Sequence, residues 1–299
     1  MYFAQLLFPD FALIICGYLI CRYTQLGRPM WNQVDSLVYY VLFPVLLFHA
    51  ISRSPLDLRA ASSLIGAALV MGVCAVALSY AVAKLPGVKR DDFASSAQVG
   101  FRFNAYIALA VAERLAGQQG LLLIAVIFGI CVPLFNMAAV WPMAKQSGQG
   151  FGKALLRNPL IIGTVSGLLA NLLGISVPSF AEPAVSRMGQ ASLALGLMAA
   201  GAGLQLSQVF SSVSRIRAGL ALLIVRHAAL PLIAVGLVSL FSLNKTQASV
   251  LLLFSALPTA SSCYVLAAKM GLDGRFVAGL VTLSTVLGIL SLPFALSFL

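Results

Sequence analysis

The stretch "FRFNAYIALAVAERLAG" (residues 101–117) places a permanent cation, Arg102, inside apolar sequence. No charge occurs between Asp92 and Arg102, and none again before Glu113, while Asn104 follows two positions later. The stretch is apolar enough to lie in a bilayer, where a central guanidinium costs about 3 kcal/mol on insertion scales. Such a residue faces a cavity or substrate path, reaches back to the interface, or pairs with a carboxylate such as Asp91. The interface is roughly 15 Å of helix away, which is long for a side chain. A guanidinium offers a planar donor fork that matches a carboxylate. Arg102 and Asn104 are therefore candidate substrate-binding residues at an interruption of a membrane-spanning helix.

The whole chain fits that setting. Of its 299 residues, 61% are hydrophobic and 9% charged, against about a quarter charged in a soluble domain. The net charge of +11 does not mark a nucleic-acid binder, because the cations are scattered through short connections instead of forming a basic face. The N-terminal "MYFAQLLFPDFALIICGYLIC" lacks a basic leader and reads as a retained first span. The five cysteines fall in or beside apolar runs without metal-ligand spacing, so neither disulfides nor a metal site is expected.

A span needs about 20 mainly apolar residues. Ten such runs fit, at about 3–21, 32–51, 61–83, 93–112, 120–143, 158–174, 188–206, 218–240, 247–268 and 276–298. With the N-terminus outside, twelve of the 19 Lys and Arg fall in cytoplasmic connections and five in outer ones. The positive-inside rule then puts both termini away from the cytoplasm.

The two halves share a weak repeat. Pro9 and Gly17 have the spacing of Pro159 and Gly167, and Asn104 and Gly117 that of Pro258 and Gly271. Residues 1–144 form one set of five spans, 145–157 a cytoplasmic loop, and 158–299 a second set. An odd number of spans inverts the second set, giving a 5+5 inverted repeat of the kind secondary transporters use. The fold expected is an all-α membrane protein of ten helices, with the fourth and ninth broken.

The counterpart of the opening stretch is "SALPTASSCYVLAAKMG" (255–271). Pro258 removes a backbone donor, and Thr259, Ser261 and Ser262 offer hydroxyls to freed carbonyls or to a ligand. All four join the candidate site. Arg226 and His227 lie about ten residues inside the eighth span; one of them is read as a second anion contact or proton site, or else Arg226 neutralises a neighbouring helix dipole. His49 is an interfacial histidine or a proton relay. Asp10 and Asp35 are the carboxylates open to proton coupling, and Asp35 also suits the first turn of its helix. Asn136, Ser284 and Thr285 line the cavity or bond neighbouring helices.

Specific segments resemble a known family. "FPVLLFHAIS" (43–52) is similar to the second span of plant auxin carriers at Pro44, Leu46, Phe48, His49, Ile51 and Ser52. "NAYIALAVAERLAG" and "LPTASSCYVLAAK" resemble their fourth- and ninth-span segments, and "NPLIIGTVSGLLANLLGI" and "LALGLMAAGAGL" the sixth and seventh spans of bacterial members. The chain is identified as a bacterial-type member of the auxin efflux carrier family. The resemblance implies a bile-acid-symporter-like fold working as an elevator. Spans 1, 2, 6 and 7 would form a scaffold, expected to be homodimeric, and spans 3–5 and 8–10 a transport domain. It also implies an organic anion as substrate, auxin-like or malonate-like, and a bacterial inner-membrane location. The plant carriers have a proline at each crossing, where this chain has Val111 and Cys263.

The leading function is secondary transport of a small carboxylate. Proton or membrane-potential coupling is favoured over sodium, with a passive uniporter or a sodium symporter as alternatives. No HExxH, GxSxG, P-loop or intramembrane acid pair supports an enzyme or an ATP-driven pump. No cofactor, metal or nucleic-acid partner is expected; the partners are the anion, membrane lipid and a second copy.

Overall fold

The computed structural model describes residues 2–53, 58–147, 159–204, 210–260 and 262–299. Among these the chain is helical, without a β-strand; the one extended pairing is an isolated antiparallel bridge between Phe103 and Thr259. The first half holds α1 (Tyr2–Tyr23), α2 (Arg28–Leu37), α3 (Phe43–Ser52), α4 (Leu58–Ala81), α5 (Arg90–Ser96) and α6 (Ala105–Ser147). The second holds α7 (Pro159–Leu172), α8 (Glu182–Ala202), α9 (Val213–Ile224), α10 (Leu230–Leu240), α11 (Lys245–Ala256), α12 (Ser262–Lys269) and α13 (Gly274–Leu296). Most of the loop expected at 145–157 lies outside the described residues.

Among the described residues, four helical stretches are long and apolar enough to cross a membrane: Ser62–Lys84, Ala105–Met143, Val213–Leu240 and Gly274–Leu296. Their outward faces carry large apolar groups; Leu232 is 58% and Leu240 74% exposed. Lipid, not water, suits such a surface. The protein is a multi-pass α-helical membrane protein.

Local chemistry explains where the helices deform. Ala116 and Gly117 are non-helical inside α6, and Gly117 has φ 55°, a left-handed conformation that only glycine adopts cheaply. They divide α6 where the sequence puts the turn between the fourth and fifth spans. Two wide π-turns, Val38–Leu42 and Val225–Ala229, each end two residues before a proline, Pro44 and Pro231. A helical proline lacks an amide and its ring presses on the carbonyl four residues back. Those carbonyls belong to Tyr40 and His227, inside the widened turns, so the extra residue relieves the clash.

The chain divides into two compact units. The first comprises Met1–Ser62, Leu109–Gly129 and Gly152–Gly203. Here α1 lies on α8, and α3 lies on α7 and α8. Glycines set the approach: a Cβ on Gly17 would strike the Met198 backbone, one on Gly201 the Ile14 carbonyl, and one on Gly163 the Pro44 backbone. Small residues at helix contacts replace the hydrophobic drive that lipid does not supply. Gly201→Val should cost about 1–3 kcal/mol by overpacking, seen as a lower unfolding temperature of the purified protein in detergent.

The second unit comprises Ser63–Ala108, Ile130–Phe151 and Leu204–Leu299. Val99, Leu222, Cys263, Phe276, Leu280 and Val281 share its core. The N-terminal ends of α5, α9 and α13 are clasped by one ionic cluster. Asp92 accepts from Ser214 Oγ at 2.5 Å and from Arg215 Nε at 3.0 Å, and Arg215 also reaches Asp273 at 2.8 Å. Asp273 in turn caps α13 through the amides of Arg275 and Phe276. This clasp ties the start of α13 to the helix that leads into Arg102.

Candidate substrate site

Both expected helix interruptions are present in the second unit, and they hydrogen-bond to each other. After α5 a tight turn, Ala97–Gly100, leads into non-helical residues 101–104 before α6 begins. Between α11 and α12 the backbone is non-helical from Leu257 to Ala260. Asn104 N donates to Pro258 O at 2.7 Å, and Ala260 N to Arg102 O at 3.4 Å. Thr259 Oγ1 donates to Val99 O at 2.8 Å. The breaks lie at Asn104 and Pro258, ahead of the positions at which the family comparison expects prolines. Val111 and Cys263 are both inside helices.

The extended backbone explains the "FRF" pattern. Successive side chains of an extended segment point to opposite sides. Phe101 and Phe103 are buried against Phe135 and Phe254, with ring centroids 5.5 Å (Phe101–Phe135) and 4.8 Å (Phe103–Phe254) apart. Arg102 points away from that aromatic cluster and is only half-buried. Its guanidinium donates to Gln98 Oε1 at 2.9 Å and to Ser262 Oγ at 3.1 Å. The buried Cys263 thiol is a further hydrogen-bond partner; none of the three is a carboxylate, and five N–H donors exceed what Gln98 and Ser262 use. Gln98, fully buried, is itself fixed by donating to Ser95 O and Cys263 O.

The remaining candidates divide by role. Asn104 Oδ1 caps α6 by accepting from the amides of Tyr106 and Ile107, which explains an asparagine at a helix start. Pro258 and Thr259 shape the second break. Ser262 meets Arg102, whereas Ser261 lies outside the described residues. Arg226 is 1% exposed and donates through Nε to Leu257 O at 2.5 Å and through Nη2 to Phe254 O at 3.2 Å. In a regular helix the amide of residue 258 would bond Phe254 O; proline has none, and Arg226 takes its place. The dipole-neutralising alternative for Arg226 thus has a specific geometry: the cation sits at the C-terminal end of α11.

His49, Asp35 and Asp10 belong to the first unit and not to the one that holds the breaks. His49 Nε2 lies 3.2 Å from an Arg53 nitrogen, and Arg53 pairs with Glu182. Asp35 sits partly exposed on α2, and Asp10 falls within α1. Thr285 bonds its own helix at Val281 O, and Ser284 bonds the Thr259 amide. Gln98 is the contributor that sequence reading missed; its spacing, four residues before the arginine, is the one available signal.

Residues 2–296 match the family of membrane transport proteins. The chain belongs to that family. A Rhizobium meliloti protein named "Putative malonate transporter" is 23% identical over 297 residues, covering 95% of this chain and 92% of its own. A Methanothermobacter thermautotrophicus protein named "Uncharacterized transporter" is also 23% identical, over 94% of this chain and 93% of its own. The auxin efflux carrier resemblance read from the sequence is therefore sound, and this membrane transport protein is a transporter and not an enzyme.

Proposed function

We propose that the protein is a secondary carrier of a small organic anion, holding a carboxylate on Arg102 with Ser262 and Gln98 beside it. The observation that carries this reading is a guanidinium at the meeting point of two helix breaks, with neutral partners only. Asn104, Pro258, Thr259 and Arg226 build the frame. The malonate named for the Rhizobium meliloti relative supports a small carboxylate or dicarboxylate as substrate class.

Ten spans in a 5+5 inverted repeat, both termini outside the cytoplasm and an inner-membrane location complete the proposal. Spans 1, 2, 6 and 7 would form the scaffold, through which two copies would pair within the lipid. Spans 3–5 and 8–10 would form the transport domain, which would carry the anion by an elevator movement. Proton or potential coupling remains favoured over sodium.

A thermal-shift screen of mono- and dicarboxylates on the purified protein should find a stabilising anion. Proteoliposomes should then exchange that anion in counterflow, and imposed proton, sodium and voltage gradients identify the driving force. Failure to exchange any organic anion would overturn the reading.

A further inference from the structure

His227 stands in the π-turn before Pro231, and both of its ring nitrogens are engaged. Nδ1 lies 2.8 Å from Ser291 Oγ and Nε2 lies 2.8 Å from Ser284 Oγ. Each serine also meets the break between α11 and α12. Ser291 Oγ donates to Ala256 O at 3.1 Å, and Thr259 N donates to Ser284 Oγ at 2.9 Å. These outer partners assign the hydrogens. A carbonyl only accepts, so the single hydroxyl hydrogen of Ser291 goes to Ala256, and the contact with Nδ1 needs a hydrogen on that nitrogen. In a neutral imidazole Nε2 then accepts, taking the hydroxyl hydrogen of Ser284, whose oxygen receives the Thr259 amide.

The outcome is a hydrogen-bond chain running in one sense. It passes from Thr259 N–H to Ser284, to Nε2, across the ring to Nδ1–H, to Ser291 and finally to Ala256 O. It starts and ends on the backbone at either side of Pro258. Ser284, Gly288 and Ser291 follow i, i+4, i+7 spacing, one face of α13. Gly288 leaves room for the proline ring, since a Cβ there would fall 2.5 Å from Pro258 Cγ. A whole helix face is thus fitted to this break, with His227 as its bridge.

We propose that His227 is a positioning residue for transport, held neutral as its Nδ1–H tautomer. It fixes the backbone from Ala256 to Thr259 and so the start of α12, where Ser262 meets Arg102. Its effect on transport rests on the carrier reading; its tautomer does not.

The tautomer is read directly by NMR of protein labelled with nitrogen-15 histidine. The chain has two histidines, so the signals missing from His227→Gln belong to His227. Expected is a hydrogen on Nδ1 and a bare Nε2; an Nε2–H tautomer, or hydrogens on both nitrogens, overturns the proposal. In proteoliposomes, His227→Gln supplies an amide that both donates and accepts, and should keep kcat/KM within about threefold of the native protein. His227→Leu, which does neither, should lose about tenfold or more. Equal transport by the leucine and native proteins overturns the positioning role. If the leucine variant does not fold, the tautomer still decides. If the native protein moves no anion while the Nδ1–H tautomer is found, the carrier reading fails and the hydrogen-bond chain stands.

Discussion

Arg102→Ala should abolish carboxylate uptake in proteoliposomes while leaving the unfolding temperature close to that of the native protein. Both halves of that expectation follow from geometry. The guanidinium is half-buried and bonds the side chains of Gln98, Ser262 and Cys263, none of them a carboxylate, so its removal leaves lost but replaceable contacts. An anion bound in the same place loses its counter-charge. Truncating one partner of a buried charge pair costs about 2–5 kcal/mol, or roughly 30-fold to several-thousand-fold in affinity. Arg102→Lys keeps the charge but not the planar fork and should recover only part of the uptake. Anion-stabilised melting, measured with and without the substrate, separates binding from folding. Native-like uptake by the alanine variant would remove Arg102 from the site.

Arg226→Leu should have the opposite signature: a collapse in stability that precedes any question of transport. Among the described residues its side chain is the largest of those fully buried, and Nε and Nη2 donate to Leu257 O and Phe254 O. Each buried carbonyl left without a donor costs about 1–3 kcal/mol. Losing both would remove much of the roughly 5–15 kcal/mol by which folded proteins are stable. The expected observations are low yield, or a sharply lower melting temperature in detergent that no substrate restores. Arg226→Lys supplies one compact ammonium in place of a fork and should be intermediate. A leucine variant as stable as the native protein would show that other donors take over the carbonyls. The two intramembrane arginines, alike in sequence, are thus expected to separate into one that serves the substrate and one that serves the fold.

That separation marks how far the sequence could be read. The all-helical, membrane-embedded character was legible because a bilayer-length apolar run needs no tertiary information, and several such helices are present. The break at Pro258 was legible because proline removes an amide wherever it sits. The break at Asn104 was legible only through its oddities, a cation and an asparagine in apolar sequence. The alternation of Phe101, Arg102 and Phe103 is a strand-like period too short to stand out before the bridge to Thr259 is seen. For Arg226 the sequence offered a helix-dipole reading beside a substrate one without choosing between them, and it did not show the serine partners of His227. Their partners are 28 to 64 residues away in the chain, and nothing local tells a carbonyl-capping arginine from a substrate-binding one. Gln98 was hidden for the same reason, since its contact with Cys263 O spans 165 residues.

The carbonyls exposed by the breaks have a consequence of an electrical kind. Phe254, Ala256, Leu257 and Pro258 each receive a donor from within the second unit. Unwound peptide in hydrocarbon normally needs ordered water or neighbouring side chains to complete its bonding, and a thread of water is also a wire for protons. Here side chains and the opposing backbone supply the donors, so these carbonyls need no such thread. Bonded this way, the four carbonyls give protons no string of water to follow at the break.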